Sequence, residues 1–170
     1  MNTLNVVVIG CGNSLAGDDA VGVEIIGHLQ DMIGEHCPDN LGVELVDAGI
    51  GGLDVIDHIL DVDRAVIADA VLAGEKVGSI AVFSSDVIPD RDDMAFSVHG
   101  INLVDAITMA RRLYPERVAA ITVVGVEVGQ PPAGMPSGMS LPVRRAIPVA
   151  CDAILDLLDR WSRELSPDNA

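Results

Sequence analysis

Residues 10–19 read GCGNSLAGDD, directly after the apolar run NVVVI. Glycine at the end of a buried strand allows backbone to approach something closely. Two carboxylates then follow, a pair that suits a cation and opposes a phosphate. Three readings are open. A dinucleotide-binding turn would use Gly10 and Gly12, with Asp47 as a ribose-binding acid, but Leu15 holds the place of its third glycine. Asp18 and Asp19 would also repel a pyrophosphate at the helix start. A structural reading makes Asp18 the helix cap, worth roughly 1 kcal/mol, and leaves Asp19 over. The third reading is a cation site, because hard and borderline cations take carboxylate oxygen and imidazole nitrogen.

Other ligands would have to come from the same edge of the sheet. Asp69 ends the stretch VIAD in the most apolar segment of the chain. A carboxylate there is costly to bury unless it is paired, backbone-capped or metal-bound. His99, in SVHGIN, stands between a loop and a helix start, where it is either a ligand or an ordinary surface or capping residue. His28 and His58 fall on amphipathic helices facing solvent, and His36 in a polar turn.

The elements that must position these residues follow from hydrophobic periodicity. Strands are predicted at 5–10, 43–46, 64–71, 79–86 and 118–128. The helix after Asp19 carries the stripe Val21, Ile25, Leu29 and Met32; further helices are predicted at 53–60 and 101–113. Residues 87–98 are a charged loop, and the Gly/Pro-rich stretch 129–142 is another. The last helix runs its stripe from Val143 to Leu165, with Pro148 kinking it or marking the first turn of a shorter one. The order β-α-β-α-β-β-α-β-α predicts a three-layer α/β/α sandwich with a five-stranded, mostly parallel sheet, in one domain over 1–170. The short turn before the fourth strand makes one strand antiparallel.

Composition bounds the function. The net charge of −16, from 26 acidic and 10 basic residues, opposes nucleic-acid and anionic-membrane roles. Three cysteines without a Cys-x-x-Cys pattern give no disulfide framework. With no signal-type segment and no apolar run long enough to span a bilayer, a cytoplasmic protein is expected.

The ordered set of motifs resembles the maturation endopeptidases of [NiFe] hydrogenases. Those proteins share a Gly-x-Gly-Asn-x-Leu-x-x-Asp-[Asp/Glu] opening (GCGNSLAGDD), an acidic turn after the second strand (DAGIGG) and Asp-Ala at the end of the third (ADAV). SVHGINL, GVEVG and SLPVRRAIP also fit, so the match runs from residue 6 to about residue 161. The resemblance implies a peptidase that removes the C-terminal extension of a hydrogenase large-subunit precursor after nickel insertion. It places the metal-contacting positions on Asp19, Asp69 and His99; catalysis then falls either to the ion, polarising the scissile carbonyl, or to Asp69 or Asp19 as a general base. It assigns Asp47 and Gly49 to substrate recognition; Ile50 stands where many members have Thr. Nickel is shared with or supplied by the substrate, and another divalent ion could occupy the site in vitro. The rival functions are a non-proteolytic nickel chaperone or sensor and a nucleotide-binding protein.

Overall fold

The structure is a computed structural model that describes residues 3–50, 52–87, 95–96, 103–129 and 138–165. Among these residues six strands form one sheet: β1 (Leu4–Cys11), β2 (Leu41–Gly49), β3 (Arg64–Leu72), β4 (Ile80–Ser84), β5 (Ala95–Phe96) and β6 (Ala120–Glu127). Five of them run in the order β2-β1-β3-β6-β4, and the two-residue β5 pairs with β3. The β1–β2, β1–β3 and β3–β6 pairings are parallel, while β4 lies antiparallel on β6. The antiparallel strand expected from the short turn is therefore present, though the chain passes β6 to place it on the side of β6 away from β3.

Among the described residues four α-helices cover the sheet: α1 (Val21–His36), α2 (Asp54–Ile59), α3 (Leu103–Leu113) and α4 (Leu141–Glu164). Alternation along β1 and β3 divides the core in two. Val6, Val8, Val66 and Ala68 pack with α1 and α4, while Val7, Ile9, Ala65 and Ile67 pack with α2 and α3. A strand buried on both faces reads as a continuous apolar run, as RAVIADAV does.

Several boundaries differ from the sequence expectation. Val118 does not open the fifth long strand; it makes an isolated bridge to Leu60, and β6 begins at Ala120. His36 lies in the last turn of α1, where its Nδ1–H donates to Met32 O at 3.0 Å. α4 starts at Leu141 and continues through Pro148, so that proline does not begin a shorter helix. A second proline, Pro142, occupies its first turn, where a missing N–H costs nothing. The 87–98 loop lies outside the described residues apart from Val87 and β5.

Neither aspartate of the glycine turn caps α1 as expected. A single 3-10 turn, Gly17–Ala20, intervenes, and α1 begins at Val21 behind Ala20, with no side-chain cap. α1 instead gains its position from close packing. A Cβ on Gly22 would meet Cys11 O at 2.2 Å and Ala68 O at 2.3 Å. A Cβ on Gly10 would meet Gly22 O at 2.3 Å. Gly10 and Gly22 thus bring α1 onto the ends of β1 and β3, the packing role of the third glycine whose place Leu15 holds.

Candidate functional site

Chain direction across the sheet reverses between β1 and β3: the chain leaves β1 for β2 on one side and reaches β3 on the other. In open α/β sheets the crevice beyond the carboxyl ends of two such strands is where ligands bind. Cys11 and Gly12 leave β1 there, and Asp69 sits in β3 one residue past Ala68, the register partner of Gly10.

Asp69 is 2% exposed. It follows Ile67 by two residues and so shares the α2–α3 face of β3. Its Oδ1 accepts the Ala70 N–H at 2.8 Å, whereas Oδ2 is buried with no hydrogen-bond partner among the described residues. Among the described residues neither a salt bridge nor a full backbone cap satisfies it. Burial pushes its carboxyl up to about 7; the Ala70 N–H opposes that rise and the charge of Asp19 adds to it.

Asp19 is placed by the turn itself. Gly12 adopts φ +140°, and a Cβ there would stand 1.9 Å from Asp19 O, so only glycine fits. Asp19 Oδ2 accepts the Asn13 N–H at 3.0 Å, and Asn13 Oδ1 accepts the Leu15 N–H at 3.0 Å. The carboxylate folds back over its own loop, toward the side from which its charge reaches Asp69. Asp18 points elsewhere: its Oδ1 accepts the N–H of Ser140, the residue before α4, at 2.5 Å.

Asp47 is exposed near the end of β2 and accepts the Gly49 N–H at 2.9 Å. Gly49, at φ +52°, accepts the Gly12 N–H at 2.8 Å. The ends of β1 and β2 are therefore one hydrogen-bonded unit. Cys11 belongs to this neighbourhood. Burial, then Asp69, then Asp47 hold its thiol far above the usual range, so it stays protonated and is no nucleophile. Cys11, Cys37 and Cys151 are all free.

Glu127 provides a contrast. It is 4% exposed, but its oxygens accept Ala73 N–H at 2.8 Å and Gly74 N–H at 3.1 Å. Its buried carboxylate is satisfied and fixes the β3–β4 turn; that of Asp69 is not. Separate from Asp69, a groove of about 610 Å³ lies between α1 and α4, lined among others by Leu15, Glu24, His28, Met139, Arg144 and Ile147.

His99, the expected third ligand, lies outside the described residues. Among the described residues no three His, Cys, Asp or Glu side chains form a metal-sized cluster. An orphaned, deeply buried carboxylate oxygen beside a second carboxylate is nonetheless suited to a cation brought in from outside. His28 is occupied with its own helix, its Nδ1–H donating to Glu24 O at 2.9 Å.

The hydrogenase maturation protease family model matches residues 23–157. Hydrogenase 2 maturation protease of Escherichia coli (strain K12) is 29% identical over 124 residues, covering 72% of this chain and 73% of that protein. The fold is similar to that of the hydrogenase maturating endopeptidase HybD from E. coli, with a TM-score of 0.72 at 24% identity over 92% of this chain and 93% of that one. The [NiFe] hydrogenase maturation protease HycI from Thermococcus kodakarensis KOD1 gives 0.70 at 22% identity over 91% and 92%.

Proposed function

The chain belongs to the hydrogenase maturation protease family, and on that premise we propose that it cuts the C-terminal extension from a [NiFe] hydrogenase large-subunit precursor that already carries nickel. The nickel is part of the substrate. Asp69 and Asp19 meet it at the crevice between β1 and β3, with His99 as the third contact. Asp47 and Gly49 face the segment to be cut. The observation that supports this most is that Oδ2 of a 2%-exposed Asp69 has no partner among the described residues. Such an oxygen is costly to keep in a finished fold, and a substrate-borne cation would relieve that cost. Recognition of nickel then makes cleavage conditional on a loaded precursor.

A second role for Asp69 is favoured by its carboxyl sitting near neutrality. Hydrolysis needs a base to take a proton from the attacking water and an acid to return one to the leaving amine. A carboxyl that titrates near 7 can do both in turn. The two roles separate in single-turnover cleavage of nickel-loaded precursor by Asp69→Asn and His99→Ala. Under nickel recognition, both variants bind the precursor more weakly and regain cleavage at high enzyme concentration. Under general-base catalysis, Asp69→Asn still binds it but cuts about 10²–10⁴-fold more slowly. Unchanged affinity and rate in both variants would remove these residues from the reaction. A wild-type protein that binds the nickel-loaded precursor without cutting it would instead be a chaperone or sensor.

A further inference from the structure

The geometry points to Asp18 as a positioning residue: by holding the backbone of Ser140 it fixes the turn that presents Asp19 to the precursor, an inference that rests on the function proposed above. Asp18 Oδ1 accepts the Ser140 N–H at 2.5 Å across 122 residues of chain. It does so from the same four-residue 3-10 turn, Gly17–Ala20, that carries Asp19. That turn is short, and its own N-terminus has no side-chain cap. Besides backbone bonds such as Asp19 N–H to Ala16 O, two carboxylates hold it, Asp19 to Asn13 within the loop and Asp18 to Ser140 outside it.

The far end of the Asp18 bond is itself braced. A Cβ on Gly78 would meet Pro142 O at 2.7 Å, so the β3–β4 turn packs closely on the first turn of α4. That turn is in turn held by the Glu127 carboxylate at the end of β6. Ser140 precedes the 24-residue α4, which is buried against the sheet by Val143, Ile147, Ile154 and Trp161. Ser140 does not cap α4 with its own hydroxyl, whose oxygen is buried and unpartnered among the described residues. Asp18 thus ties the short turn that carries Asp19 to the start of a long helix buried against the sheet. A charge-assisted bond of this kind is among the stronger ones available.

The test measures amide hydrogen exchange and precursor cleavage in Asp18→Ala, Asp18→Asn and Ser140→Pro. Ser140 has φ −66° and ψ 153°, so proline fits its backbone while deleting the donor. This second variant leaves the Asp18 side chain intact should Asp18→Ala fold poorly. The Asn13 amide reports where Asp19 sits, because Asp19 is its acceptor. In Asp18→Ala, protection is expected to fall about tenfold at both Ser140 and Asn13, and in Ser140→Pro at Asn13. KM for nickel-loaded precursor should rise about tenfold with kcat within about twofold, and Asp18→Asn, which keeps the acceptor oxygen, should restore all of these. Loss of protection at Ser140 with Asn13 unchanged would make Asp18 a helix cap only and overturn the inference. So would wild-type KM in both Asp18→Ala and Ser140→Pro. If wild-type protein fails to cut the precursor, the peptidase reading falls, and the Asn13 exchange alone decides the role of Asp18.

Discussion

Asp69 holds its proton to about 7 in the folded chain, against 3.8 for an ordinary aspartate. Between those values the native state binds more protons than the unfolded state. Stability therefore falls as pH rises through that window, by a few kcal/mol at about 1.4 kcal/mol per unit. Asp69→Asn removes the charge that burial penalises. The variant is expected to be more stable than wild type above pH 7, with the gap closing toward pH 3.8. Urea unfolding across that range checks it; a variant no more stable than wild type at any pH would show that the carboxylate is solvated in the native state. The candidacy of Asp69 was legible from its apolar neighbours alone, since an acid inside VIADAV needs a reason. The destination of Asp18 was not legible. A helix start near an aspartate suggests a cap, and nothing local reveals an acceptor 122 residues away. The environment of Cys11 was hidden for the same reason: it depends on β1 lying between β2 and β3.

At the scale of elements, glycine spacing decides how α1 meets the sheet. Local sequence showed that GCG needs a turn but not that Gly22 completes the close approach, because the carbonyls it faces belong to Cys11 and to Ala68 on another strand. Gly22→Ala forces a methyl against backbone, which cannot rotate away. A loss of about 1–3 kcal/mol is expected, the usual cost of overpacking, and it should displace the glycine turn as α1 lifts. Gly27, in the same helix, has nothing within 4 Å of its would-be Cβ. Gly27→Ala should instead stabilise by about 0.5–1 kcal/mol through helix propensity. Opposite shifts of the urea midpoint in the two variants are the expected result. Equal shifts would show that α1 is free to move outward, and close packing would then not set the position of Asp19. Pro148 teaches a related point about elements. Its ring removes one helical bond, yet the flanking Val143, Ile147, Ala150 and Ile154 bury enough surface to carry α4 through it.

At the scale of the whole molecule, the strand order explains why residues far apart in sequence meet at one edge. β1, between β2 and the central β3, sends its chain outward to β2 and has β3 on its other side, which opens the crevice between Gly12 and Asp69. The α/β alternation was legible because both periodicities are strong, whereas the placement of β4 beyond β6 was not, since adjacency in sequence favours pairing with β3. Charge acts at this scale too. The chain carries −16, and the described ion pairs, such as Arg64–Glu164 and Arg117–Asp61, join groups on or near the surface. Such pairs contribute little each, about 0–1 kcal/mol, and lose strength in salt. Repulsion among the excess carboxylates is spread over the surface and is screened by the same salt, as the Debye length falls from about 10 Å at 0.1 M to about 3 Å at 1 M. With 26 acids against 10 bases, relief of repulsion outweighs loss of the pairs. Added potassium chloride is therefore expected to raise the urea midpoint of the free chain, steeply at first and then to a plateau once the Debye length is shorter than the spacing between charges. A midpoint that falls over the same range would mean that paired charges, rather than the excess, govern the stability of the fold.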